Sequence, residues 1–122
     1  MTWSQWFDLT SNEVANEVPT TPGVFCIARK HDAVTYPGSA SLTVFLGVAE
    51  GRQRGLRAVL GEIAGGSRDD LQDERRTSRG LRFCFQANMG DGALKLHRAL
   101  LDDFAAQHGE VPRCNRARTT EP

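Results

Sequence analysis

The sequence predicts an α+β domain, a small three-stranded antiparallel sheet flanked by helices, and three observations predict it. First, the runs "GVFCIAR" at 23–29, "LTVFLGV" at 42–48 and "LRFCFQA" at 81–87 have strand length and are rich in β-branched and aromatic residues. Second, the segments 52–64 and 91–108 repeat apolar residues at helical spacing instead. Third, the order is helix, strand, strand, helix, strand, helix, which suits a sheet with helices packed on it. At 122 residues there is material for one core. A composition of 39% hydrophobic and 25% charged residues is that of an ordinary soluble globular chain.

Residues 3–18 read as one or two short helices. Thr10 and Glu13 have the spacing of a capping box, and Val14 and Val18 then share a face. Pro19 ends this element. In the first strand Val24, Cys26 and Ala28 alternate with Phe25, Ile27 and Arg29, so both faces carry apolar groups and both expect cover. Residues 30–41 form a loop with a Pro37-Gly38 turn signal, and the simplest pairing of the strands on either side is a hairpin. In the helix at 52–64, Leu56, Val59, Leu60 and Ile63 make one stripe. Arg54 and Gly61 lie opposite it, Arg57 falls on its flank, and Gly65-Gly66 stops it. The run "SRDDLQDERRTSRG" reads as a solvent-facing connector with room for a short helix. In the third strand Leu81, Phe83 and Phe85 share one face, and Arg82, Cys84 and Gln86 the other. The last helix, with Asp91 as its expected cap, presents Ala93, Leu96, Leu100 and Phe104, with Leu101 beside them and Gly109 as its stop. The expected organisation is a helical segment at 1–18, a domain at 19–116 and a disordered tail at 117–122.

Formal net charge is zero, but Arg outnumbers Lys 13 to 2. Arg is the better bidentate partner for phosphate. Arg75, Arg76 and Arg79 alternate with Asp73 and Glu74 and read as a salt-bridged surface, whereas Arg113, Arg116 and Arg118 form a purer basic cluster. The run "GRQRG" at 51–55 lacks the Lys-Ser/Thr of a phosphate-binding loop. The three cysteines, Cys26, Cys84 and Cys114, have no C-x-x-C spacing; Cys26 and Cys84 read as small core residues in a reducing, cytoplasmic compartment. His97, His108 and Cys114 fit no zinc spacing. A Cys26–His97 nucleophilic pair would need a third, orienting residue, which the sequence does not supply. No apolar run is long enough to span a membrane, and the first residues are too polar and acidic for a signal peptide.

The paired aromatic-glycine runs carry a resemblance. "GVF" at 23–25 and "FLG" at 45–47, followed by an Arg-bearing helix, a further strand and the closing "ALKLHRALLDDFAAQHGEVPRCN", resemble the GIY-YIG nuclease superfamily over about residues 19–116. The resemblance implies an α/β sandwich and metal-assisted phosphodiester cleavage. In that chemistry a Glu holds a divalent ion, two tyrosines orient the attacking water and an Arg stabilises the phosphate charge. Carried onto this chain, the site positions are Phe25, Phe45, Arg57 or Val59, His97 and Asn115. Both tyrosines are thus phenylalanine, which lacks the hydroxyl. The Glu position is His97, whose imidazole suits softer metals than magnesium. Asn115 is retained, as are Gly23 and Gly47.

Three readings follow. The leading one is a DNA-associated domain with a degenerate nuclease site, binding nucleic acid through Arg54, Arg57, Arg113, Arg116 and Arg118 without efficient cleavage. The second is an atypical endonuclease that uses His97, Arg57 and a divalent metal. The third is a protein-interaction or small-ligand module. No cofactor is expected unless the site is active, and the partners left open are DNA, another protein and a second copy of the chain.

Overall fold

A computed structural model describes residues 3–50, 54–87 and 92–115. The main sheet is antiparallel and has four strands, not three: β1 (Phe7–Asp8), β6 (Leu81–Ala87), β2 (Gly23–Arg29) and β5 (Thr43–Ala49), in that spatial order. The additional strand is two residues long, pairing Phe7 with Phe83 and Asp8 with Arg82, too short to leave a periodic pattern. The expected N-terminal helix is correspondingly confined to α1 (Ser11–Glu17), where the Thr10 hydroxyl accepts the Glu13 amide, one half of the expected capping box, while the Thr10 amide donates to Asp8 O at 2.9 Å.

β2 is buried at every position because it has strands on both sides and helices on both faces. It pairs with β5 as expected of the hairpin, with a register shift after Ile27, and with β6 from Gly23–Ala87 to Arg29–Leu81. The connection from β2 to β5 holds a small ribbon of β3 (Val34–Thr35) and β4 (Ala40–Ser41) around the Pro37-Gly38 turn.

One face of the sheet is covered by α1, α2 (Leu56–Ala64) and α3 (Asp69–Ser78). Phe25, Ile27 and Phe83 pack there with Val14, Val18, Leu56, Leu60 and Leu71. The other face meets α4 (Gly92–His108), where Cys26, Leu46 and Cys84 touch the half-buried Leu100, Leu101 and Phe104. The charged connector at 67–80 is largely α3. Its acids, Asp69 and Asp70, lie in the first turn and Arg75 and Arg76 in the last, the arrangement the helix dipole favours. Arg79 adopts a left-handed φ of 62° and Gly80 one of 130° as the chain turns into β6.

The salt-bridged surface expected at 73–79 is only partly that. Arg76 pairs with Asp73 in solvent, but Glu74 turns inward and is buried. Arg29 Nε donates to Glu74 Oε1 at 2.8 Å, and Arg113 Nε lies 3.2 Å from Oε2. A buried carboxylate needs such partners, because desolvation without them is costly. Among the described residues no helix is long and apolar enough to cross a membrane.

Candidate functional site

β5 is an edge strand, so its outer backbone groups need partners other than a neighbouring strand. Asn115 supplies them. Its Oδ1 accepts from Leu46 N at 2.9 Å and its Nδ2 donates to Leu46 O at 2.8 Å, so one side-chain amide stands in for a paired strand residue. His97 on α4 reaches the same carbonyl, with Nε2 2.9 Å from Leu46 O. A carbonyl oxygen only accepts, so His97 carries its proton on Nε2.

Along this edge, between α2 and α4, opens a cleft of about 490 Å³. Phe25, Phe45, His97 and Asn115 all line it, so four of the site positions drawn from the sequence converge. The two glycine-flanked strands lie side by side in a register that pairs Phe25 with Gly47. A Cβ on Gly47 would stand 2.1 Å from Cζ of Phe25, so the glycine makes room for the ring crossing it. Gly23 has a similar reason: a Cβ there would lie 2.1 Å from the Gln86 carbonyl oxygen. The Phe25 and Phe45 ring centroids are 5.9 Å apart.

The arginines are distributed differently from the expectation. Arg57 is exposed and its Nε donates to Val18 O at 2.7 Å, closing the end of α1 away from the cleft. Val59 faces the cleft instead, so of the two candidates for the arginine position the cleft receives the apolar one. Arg54 does line the cleft, ion-paired with Glu62. Arg113 is committed to Glu74, with its backbone N–H donating to the Tyr36 hydroxyl at 3.2 Å. Arg116 and Arg118, the tail beyond them and the Asp91 cap lie outside the described residues.

Arg68 is the site residue that the sequence reading missed. Its guanidinium sits 4.3 Å from the Phe45 ring centroid, a cation–π contact. It also donates to both carboxylate oxygens of Asp70 and, at 2.9 Å, to the Cys114 carbonyl. It thereby joins the start of α3 to the segment that presents Asn115. The available signal was Asp69-Asp70 at the head of a run with Arg75-Arg76 at its foot, which marks a helix and places Arg68 at its entry.

The donor set does not fit the divalent ion that the nuclease resemblance implies. The cleft offers, among the described residues, one carboxylate, Glu62, already paired with Arg54, and one imidazole. Among the described residues no three His, Cys, Asp or Glu side chains cluster as metal ligands would. His108 is apart from His97: its Nδ1 lies 2.7 Å from the Ser39 hydroxyl, and its ring packs on Phe104 and Tyr36. Cys26 associates with Thr43 and Cys84 instead of His97. Burial, with Asp70 and Glu74 nearby, pushes the Cys114 thiol up to about 12.

The fold and site thus define an α+β domain with a mixed polar and aromatic cleft at a capped sheet edge. Compared with known proteins, the chain matches no family model, no curated protein and no solved structure.

Proposed function

We propose that the chain is a nucleic-acid-associated domain on a GIY-YIG-like scaffold, holding a phosphate backbone at the β5 edge without efficient cleavage. The observation that carries this reading is the convergence of Phe25, Phe45, His97 and Asn115 on one cleft with their polar capacity absent or committed. The rings have no hydroxyl to orient water. Asn115 spends both ends of its amide on Leu46, and His97 donates its Nε2 proton to the same carbonyl. Catalytic groups that act as a unit are lost as a unit, so removal of several leaves little hydrolysis.

Binding would use Arg54 and Arg68, with Phe45 as a stacking surface. The Arg54–Glu62 pair is solvent-exposed, and exposed pairs are worth only about 0–1 kcal/mol. A phosphate oxygen can therefore compete with Glu62 for the guanidinium. Arg68 is more firmly held, by Asp70, the Cys114 carbonyl and the Phe45 ring, and its side chain is only 12% exposed, so Arg54 is the freer of the two guanidinium groups.

A second reading, a small-ligand pocket, is favoured by one observation: both cleft arginines already have acidic partners. A cavity of about 490 Å³ is of ligand size. One experiment separates the readings. Supercoiled plasmid and a labelled DNA duplex are incubated with the full chain in Mg²⁺, Mn²⁺, Ni²⁺ or Zn²⁺, at low and high salt. The proposal predicts retention of the duplex at low salt and intact plasmid in every metal. Nicking abolished by His97→Ala would establish the atypical nuclease instead, and absence of retention would leave the small-ligand reading.

A further inference from the structure

The α4 face of the sheet holds a second cavity, separate from the proposed nucleic-acid cleft except for a shared wall at Leu46. It has a volume of about 300 Å³ and is bounded by Trp3, Ser4, Trp6, Cys26, Leu46 and Cys84. The tryptophan wall is fixed in place. Ser4 N donates to Phe85 O at 2.8 Å, Phe85 N donates to the Ser4 hydroxyl at 3.0 Å, and the Arg82 guanidinium stacks 4.4 Å from the Trp6 ring centroid. Trp3 and Trp6 nevertheless face solvent on their other sides, and Cys26 and Cys84 retain 7% and 5% exposure. Both cysteines are free thiols, and they stand directly opposite each other on β2 and β6.

The backbone fixes their spacing. Leu46 turns both its N–H and its C=O outwards to Asn115, so its pair with Cys26 is the non-hydrogen-bonded kind. Cys26 therefore turns its own backbone towards β6, and Cys26–Cys84 is a hydrogen-bonded antiparallel pair. Such pairs place their Cα atoms about 5.5 Å apart, inside the range of about 4.4–6.8 Å that a disulfide bridges. The Cβ separation of about 4.5–5.5 Å across such a pair exceeds the relaxed disulfide value, so the bond would form under strain and reopen readily.

We propose that Cys26 and Cys84 form a peroxide-reactive dithiol, in which a small hydroperoxide entering the Trp3–Trp6 cavity oxidises Cys26 and Cys84 then closes an intramolecular disulfide. The Cys26 sulfur attacks one peroxide oxygen. An S–O bond forms, the O–O bond breaks, and the leaving oxygen takes a proton to depart as water or an alcohol. The Cys84 sulfur then attacks Cys26. The S–S bond forms, the S–O bond breaks, and the expelled hydroxide takes the Cys84 proton as water. Two electrons pass from the two thiols to the peroxide. The surroundings favour Cys26 as the attacking sulfur. A hydrogen bond shared with Cys84 lowers the Cys26 thiol below its ordinary value, against the opposing effect of burial. The Thr43 hydroxyl, 3.5 Å from Cys26 Sγ, and the positive charge of Arg82 act in the same direction. Arg82 Nε is buried with no hydrogen-bond partner among the described residues, so no carboxylate quenches it at that atom. Cys84 is pushed upwards by the same shared bond and by burial, and remains the protonated, resolving partner.

The test exposes the full chain to hydrogen peroxide, quenches with an alkylating reagent and maps the peptides by mass spectrometry. Cys114 serves as internal control, buried and held protonated well above neutrality. The expected result is a Cys26–Cys84 linked peptide forming at least about ten times faster than any change at Cys114, whose thiolate fraction is lower. In Cys84→Ser the same treatment should leave Cys26 as a sulfenic acid, trapped by a dimedone-type probe. Oxidation of Cys26 and Cys84 no faster than Cys114, or linkage only between separate chains, would overturn the proposal. The wild-type measurement decides it even if the variant folds poorly, and it does not depend on nucleic-acid binding.

Discussion

The two faces of the sheet do different work. Under α1, α2 and α3 the packing is dense: Ile27, Phe83, Leu56 and Leu60 are wholly buried. Under α4 the buried apolar cluster is small, made of Cys26, Leu46 and Cys84, and it packs against leucines and a phenylalanine that remain half open to solvent. Both cavities border Leu46, whose side chain belongs to this thinner face. A core residue surrounded on all sides contributes its full transfer energy and leaves no space. The α4 face forgoes part of that energy and keeps room for ligands. Dense packing is concentrated on one face, and the two cavities open on the other and at its edge.

Substitutions can break this contrast, and the largest effect belongs to the dense face. Phe83→Ala should lower unfolding free energy by about 3–5 kcal/mol, while Leu100→Ala under α4 should cost less than about 2 kcal/mol. Denaturant titration of the two variants checks it, and equal losses would erase the distinction. Next is Gly47→Ala, which drives a methyl group into the Phe25 ring, itself only 1% exposed, so the ring must shift. A cost of about 1–3 kcal/mol is expected from such overpacking. Asn115→Ala comes third. It leaves the Leu46 amide without its acceptor and removes one of two donors from the Leu46 carbonyl, for about 1 kcal/mol, read as a lower thermal midpoint.

The smallest effect is on the pH dependence of stability. Cys114 is raised from an ordinary 9.0 to about 12 in the folded chain. Above pH 9 the unfolded chain has lost this proton while the folded chain keeps it, so stability should fall as pH rises from 9 towards 12. Cys114→Ala should flatten that decline, measured by denaturant midpoints at several alkaline pH values.

Where burial imposed a long period, the sequence was transparent. The strand at 23–29 has the predicted bounds, the hairpin pairing with β5 is present, and α4 begins within one residue of its expected start. Phe25, Phe45, His97 and Asn115 are grouped by the family resemblance, a grouping that the periodicity of strand and helix alone would not have supplied, and all four line the cleft. β1 and the β3–β4 ribbon were hidden by their length of two residues each. α3 was obscured for another reason: it buries Leu71 but then Glu74 and Ser78, so its inner face has no apolar stripe. The inward turn of Glu74 depends on Arg29, 45 positions away, and a distant ion pair leaves no local pattern. Arg57 illustrates the same limit. Periodicity placed it on the flank of α2, but only the neighbouring end of α1 decides that its guanidinium closes Val18 and not the cleft.

Under the proposed function, the β5-edge cleft would grip a nucleic-acid backbone through its arginines. Fluorescence anisotropy of a labelled DNA duplex, titrated with the full chain across a salt series and repeated with Arg54→Ala, tests it most directly. The account predicts affinity that falls steeply with salt, and a log–log slope shallower by about 1 in the variant. No binding at low salt, or the same slope with and without Arg54, would contradict it.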